Sequence, residues 1–161
     1  MKLEYEIDIN ASVDNVYEYY TNPDNIKQAW PQDIVKESES LSGSNKNEEG
    51  SEMKVTGEYM GKRDEMILEV TEKQQNKRLV TQQKEGPFKQ WKSTQTFEQG
   101  NNGNNTFVRH EIEYELPTTG KIANFLSGDQ AKNKIQQGLQ QAAQTVKQKL
   151  ESNSLDSSIK N

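Results

Sequence analysis

Between Asp33 and Leu116 apolar residues return at every second position, and the interruptions are mostly too short for anything but a hairpin. Strands over 33–41, 51–60, 64–73, 77–84, 88–99 and 105–116 account for the pattern. The breaks between them carry turn chemistry: Gly61-Lys62, Gln75-Asn76, Glu85-Gly86-Pro87, and the longer polar stretches 42–50 and 100–104. A parallel crossover takes about a dozen residues or more, so successive strands must run antiparallel. A further strand precedes them. Leu3, Tyr5, Ile7 and Ile9 share one face, while Glu4, Glu6 and Asp8 share the other.

The helical segments are few. Ser12 is placed to cap a helix over 13–20, whose Val13, Val16, Tyr17 and Tyr20 form one apolar face. Asn22-Pro23-Asp24 ends it and starts a second short helix through Ala29, which Trp30-Pro31 stops. After Pro117, residues Lys121 to Leu126 fit a helical turn or two, with Gly128 as a kink. Asp129 to Leu150 then reads as one long helix with the stripe Ile135, Leu139, Ala142, Val146 and Leu150. Residues 152–161, rich in Ser and Asn, read as a flexible tail behind a single domain over 1–151.

A sheet with one apolar face must cover it, and only the C-terminal helix is long enough, at roughly 33 Å for 129–150. Twisted strands curl, and a helix laid in the concave side meets the walls before the floor. The order of elements therefore predicts an α+β fold with space between sheet and helix.

Composition narrows the chemistry. The chain has 161 residues, no cysteine and a single histidine, His110. Disulfides, thiolate catalysis, cysteine-ligated metals and histidine-rich metal sites are excluded, and neither a metal nor another cofactor is expected. A net charge of −5 without a basic cluster argues against nucleic acid as a partner. Mean hydropathy is −1.10 and apolar runs are only a few residues long, so no membrane span is expected, although transient membrane contact is left open. The segment Met1 to Glu6 lacks the apolar core of a signal peptide, which points to the cytoplasm. Oligomeric state is not legible.

Several segments resemble one superfamily. The run Ile7-Asp8-Ile9-Asn10-Ala11-Ser12-Val13-Asp14-Asn15-Val16-Tyr17 resembles the opening of the SRPBCC superfamily, in particular its polyketide cyclase/dehydrase and lipid-transport branch. Asn22-Pro23-Asp24-Asn25-Ile26, followed by Trp30-Pro31, is similar to the segment that comes next in that family. Leu68 to Glu72, Arg78 to Val80, Thr94 to Glu98 and Thr106 to Val108 follow in the family's order, so the resemblance spans about 2–151. It implies a helix-grip fold of the Bet v 1-like and START-like type. In that fold a curved seven-stranded antiparallel sheet wraps a long C-terminal helix, with two short helices between strands 1 and 2. It also implies a deep pocket for lipids, sterols, polyketides or other apolar molecules. A minority of members catalyse cyclisation, and no universal catalytic motif exists to carry over.

Alternation assigns the inward residues. They are Met53, Val55, Gly57 and Tyr59; Met66, Leu68 and Val70; Trp91, Ser93, Gln95 and Phe97; and Val108, His110, Ile112, Tyr114 and Leu116. From the helical segments Phe125, Ile135, Leu139 and Ala142 look back at them. The expected ligand-contacting set is Met53, Tyr59, Met66, Trp91, Gln95, Phe97, His110, Tyr114, Phe125 and Leu139, with Met60 as a further adaptable liner. Trp30 reads as a plug between helix and sheet, and Gly138 as a point of close approach or a tolerated exposed glycine.

His110 is the weak candidate for catalysis. It shares a face with Tyr114, but four residues of strand put them about 13 Å apart. Gln95 cannot titrate, and a triad built on Ser93 lacks an inward acid. The sequence thus favours a carrier or sensor of a small hydrophobic ligand. A cyclase or dehydratase using His110 is the alternative, and an interaction module similar to the Hsp90-activator branch is a second one. On the outer face Glu4, Glu6, Asp8, Glu111, Glu113 and Glu115 are expected to form an acidic, self-repelling stripe that salt would relieve.

Overall fold

The alternation resolves into one sheet. In a computed structural model, which describes residues 1–42, 48–59, 62–117 and 128–159, the strands are β1 (Lys2–Ile9), β2 (Val35–Ser40), β3 (Glu52–Tyr59), β4 (Lys62–Gln74), β5 (Arg78–Glu85), β6 (Gln90–Gln99) and β7 (Thr106–Glu115). Side chains at 59, 62 and 153–159 lie outside the description. The helices are α1 (Val13–Thr21), α2 (Asp24–Ala29) and α3 (Gly128–Ile159). The strand order is β1-β7-β6-β5-β4-β3-β2, antiparallel throughout. The α1–α2 excursion carries the chain from one edge of the sheet to the other, so β1 joins the last strand and β2 the far edge.

Ser12 caps α1 as expected, its hydroxyl accepting from the Asn15 amide at 3.3 Å. Trp30 leaves the helical conformation and closes α2. Register shifts in β2–β3 and at two places in β4–β5 bend that half of the sheet. Helix α3 runs past Leu150 to Ile159, so helix replaces the expected tail over most of 152–161. The apolar stripe marks where the helix is buried, not where its hydrogen-bond ladder stops. The helical turn expected over Lys121–Leu126 lies outside the described residues, as do Met60 and Phe125.

Three groups of buried side chains hold the layers together. Ile7, Ile9, Val16, Tyr17, Phe97, Val108, Val146 and Leu150 pin α1 and the C-terminal half of α3 to β1, β6 and β7. Leu3, Met66, Phe88, Ile112, Tyr114 and Leu139 sit under the N-terminal half of α3. Val35, Met53 and Val55 face α2. Trp30 packs against all three, which is the plug role expected of it. Gly138 is buried at that joint. A Cβ there would lie 2.6 Å from Ile34 Cδ1 and 3.0 Å from Trp30 Cζ3, so it is a point of close approach and not an exposed tolerance.

The outer face carries the expected acidic residues, but not as a purely self-repelling stripe. Glu4 and Glu111 do stand directly opposite each other across β1 and β7. The same alternation also turns Lys2 and Arg109 outward, and Arg109 lies 3.1 Å from both carboxylates and 3.7 Å from Glu6. Lys2 meets the same pair at 3.2 and 3.7 Å. Glu4 is held below the usual carboxylate range, chiefly by its hydrogen bond to Lys2 and also by Arg109. Lys2 and Arg109 thus join Glu4, Glu6 and Glu111 in one ion network. No helix among the described residues is long and apolar enough to cross a membrane.

Candidate ligand-binding site

Helix α3 faces the sheet with small residues. Ala131, Ala142 and Ala143 are buried and alternate with the longer Ile135, Leu139 and Val146. Where the alanines stop short, the curled sheet does not follow. A cavity of about 160 Å³ remains between them.

Its floor is the sheet: Met53 and Val55 on β3, Met66 and Leu68 on β4, Leu79 and Thr81 on β5, Trp91, Ser93 and Gln95 on β6, and His110 and Ile112 on β7. Tyr19, Tyr20, Asn22, Asn25, Ile26, Ala29 and Trp30 close the side under α1 and α2. Glu58 and Lys134 are its charged wall residues, and both are part-exposed.

Six of the ten residues expected to contact a ligand come together on this wall: Met53, Met66, Trp91, Gln95, His110 and Leu139. Two others face inward without reaching it. Phe97 is buried edge-on against Tyr17 and Tyr20, at 5.3 and 5.5 Å between ring centres, and Tyr20 stands on the wall in its place. Tyr114 is buried behind Phe88 and Trp91, at 6.0 and 6.1 Å, and backs those rings without lining the space. Alternation gives the face of a strand but not which inward residue another ring covers. The Tyr59 side chain and Phe125 lie outside the described residues.

Sequence reasoning missed Tyr20 and Phe88. Tyr20 ends the apolar stripe of α1, a signal that fits a core contact equally well. Phe88 follows the turn at Gly86-Pro87, where alternation is lost. The Gln83 side chain holds it from both sides: its amide donates to Phe88 O at 2.7 Å, and its carbonyl accepts from Phe88 N at 3.2 Å. Thus fixed, the ring stands 4.8 Å from that of Trp91.

One end of the cavity is polar. The Tyr20 hydroxyl and His110 Nε2 share a hydrogen bond at 3.1 Å. Gln95 stands opposite His110 across β6 and β7 and donates to Ser93 Oγ at 3.0 Å. His110 is 3% exposed, and burial pushes its pKa down to about 4, so the ring is neutral at physiological pH. Burial also raises the Tyr20 phenol, which keeps its proton. His110 Nδ1 is buried without a hydrogen-bond partner among the described residues. Among the described residues no carboxylate orients the imidazole, which titrates far below neutrality, so this pole is suited to hydrogen bonding more than to proton transfer. Among the described residues no His, Cys, Asp and Glu side chains group to hold a metal ion.

The sequence matches the family model described as polyketide cyclase / dehydrase and lipid transport over residues 1–151. The chain belongs to that family. Solved structures carry the fold of the polyketide cyclase / dehydrase and lipid transport family well beyond close sequence similarity. A protein from Thermus thermophilus superposes with a TM-score of 0.77 at 18% identity, covering 96% of this chain and 99% of that one. A START superfamily protein from Mycobacterium smegmatis gives 0.73 at 14%, covering 94% and 97%. The Zhui aromatase/cyclase from Streptomyces sp. R1128 gives 0.72 at 13%, covering 94% and 93%. The architecture is the Bet v 1/START helix-grip fold, and the chain lies within the SRPBCC superfamily. No curated protein matches the sequence.

Proposed function

We propose that the chain binds a small, largely apolar molecule in the cavity between sheet and α3, as a carrier or sensor. The observation that carries this reading is the cavity itself, walled mainly by Met, Leu, Ile, Val and aromatic side chains, with the neutral His110–Tyr20 pair at one end and part-exposed Glu58 and Lys134 elsewhere on the wall. A void of about 160 Å³ is close to the roughly 150 Å³ at which an apolar cavity stays dry and takes up benzene. It suits a single ring or a short branched chain. Larger lipids or polyketides require the wall to give way, and Met53 and Met66 are its most adaptable members. We take residues 1–151 as the binding domain, a reading supported by the family match over the same residues.

The test uses a feature of the sequence. Trp30 and Trp91 are the chain's two tryptophans, and both stand on the wall. Tryptophan emission therefore reports on the cavity without mutation. Titration with small apolar probes should shift it saturably, and native mass spectrometry of freshly purified protein should show a retained small molecule. A protein that carries no ligand and whose emission answers to no probe at millimolar concentration refutes the proposal.

The cyclase/dehydratase alternative draws on one observation, the buried His110–Tyr20 pair. The low pKa of His110 and, among the described residues, the absence of a carboxylate against it weigh the other way.

A further inference from the structure

Given the cavity-binding reading above, the two charged residues of the wall say what the outward end of a ligand must carry. Glu58 and Lys134 both border the cavity, and both are part-exposed. Neither charged group has an ion pair or a hydrogen bond among the described residues. The buried polar atoms left without a partner there belong to Tyr17, Tyr19, His110 and Tyr114. The Glu58 carboxylate and the Lys134 ammonium are not among them, so both reach water. Side chains whose stems line a cavity while their charged ends meet solvent mark its opening.

The two charges share one opening, with Ile34 between them. The Glu58 amide donates to Ile34 O at 3.0 Å, and Gly138 on α3 packs against the Ile34 side chain. Lys134 comes one helical turn before Gly138, on the same face of α3. The mouth therefore lies where the N-terminal half of α3 passes Ile34 and the end of β3, with an anion on the sheet side and a cation on the helix side.

Opposite charges that do not pair with each other select among head groups. A carboxylate meets Lys134 but is repelled by Glu58 and by the net charge of −5. An amine meets Glu58 but faces Lys134. A head that carries both an ammonium and a carboxylate answers both residues. Inside, a volume of about 160 Å³ takes a single ring, and Phe88 and Trp91 offer it flat surface.

We infer that the cavity binds a ring-bearing zwitterion, an aromatic amino acid or a close analogue, whose ring fills the space under α3 while its ammonium meets Glu58 and its carboxylate Lys134 at the mouth.

Four probes share a ring and differ at the head: L-phenylalanine, 3-phenylpropionate, phenethylamine and toluene. Each is titrated against the full chain, Glu58→Gln and Lys134→Gln, with tryptophan emission as the readout. L-phenylalanine should be the tightest of the three charged probes in the parent. It should weaken about two- to fivefold in each variant, the margin of one exposed charge pair. 3-Phenylpropionate should tighten in Glu58→Gln and weaken in Lys134→Gln, and phenethylamine should do the reverse. Toluene should bind alike to all three proteins. In the parent, 0.5 M NaCl should weaken L-phenylalanine relative to toluene, a readout independent of either variant. A singly charged probe binding the parent more tightly than L-phenylalanine overturns the zwitterion preference, as does L-phenylalanine indifferent to both exchanges; toluene still bound then leaves the cavity reading standing. Toluene changing in step with L-phenylalanine also overturns it, because the charges then act on the opening and not on the head group. Binding of none of the four at millimolar concentration overturns both readings.

Discussion

Replacing Gly138 with alanine sets two well-measured effects against each other. In an exposed helix interior the change should stabilise by about 0.8–1 kcal/mol, because glycine is the poorer helix former. Here the added methyl would stand 2.6 Å from Ile34 Cδ1 and 3.0 and 3.3 Å from two carbons of the Trp30 ring. The isoleucine tip can turn aside. The indole is wedged among three buried groups and has room only on the cavity side, so either α3 lifts or Trp30 is pushed into the cavity. Overpacking of this kind costs about 1–3 kcal/mol. The net expectation is a loss of about 1 kcal/mol, which lowers Tm by about 2–4 °C in a chain of this size. Differential scanning calorimetry of Gly138→Ala beside the exposed control Gln140→Ala measures it. The variant should also show altered tryptophan emission, since Trp30 is one of two reporters. A variant more stable than the parent, with unchanged emission, would show that the α3–α2 joint is looser than described and refute the reasoning.

Three other outcomes are expected. Trp91→Ala should weaken binding of any ring-bearing probe by about 1–3 kcal/mol while leaving a fold that melts cooperatively; unchanged affinity removes Trp91 from the site. For His110 the folded pKa of about 4 lies below the ordinary 6.5, so the unfolded chain takes up the proton first as pH falls. Stability is then full above pH 6.5 and declines toward pH 4, by about 3 kcal/mol in all. Chemical denaturation of His110→Asn should lack that part of the decline, and identical pH profiles would contradict it. Finally, because Arg109 and Lys2 tie Glu4, Glu6 and Glu111 together, 0.5 M NaCl should fail to raise Tm; a clear rise would restore the self-repelling stripe.

The fold was legible because its signals are periodic. Strict alternation fixed the inward set of β7, where Val108, His110, Ile112 and Tyr114 are all buried. The stripe from Ile135 to Leu150 located the buried part of α3. The site was legible only in part, because a wall is defined by what stops short of it. Tyr114 and Phe97 have the same inward parity as Trp91 and Gln95, yet each is covered by another ring. Phe88 owes its place to a glutamine five residues earlier, a side-chain-to-backbone clamp that no period encodes. The ion network was misread for a related reason. Counting the acids on one face omitted Arg109 and Lys2, which share the parity of the glutamates.

The alanines of α3 leave room because they are short, so the sheet does not by itself determine how much the cavity can hold. Lengthening one of them, as in Ala142→Leu, would insert a shim into the gap without altering a strand or a turn. Within a common scaffold, the volume enclosed between sheet and helix can thus be reset from one helix face.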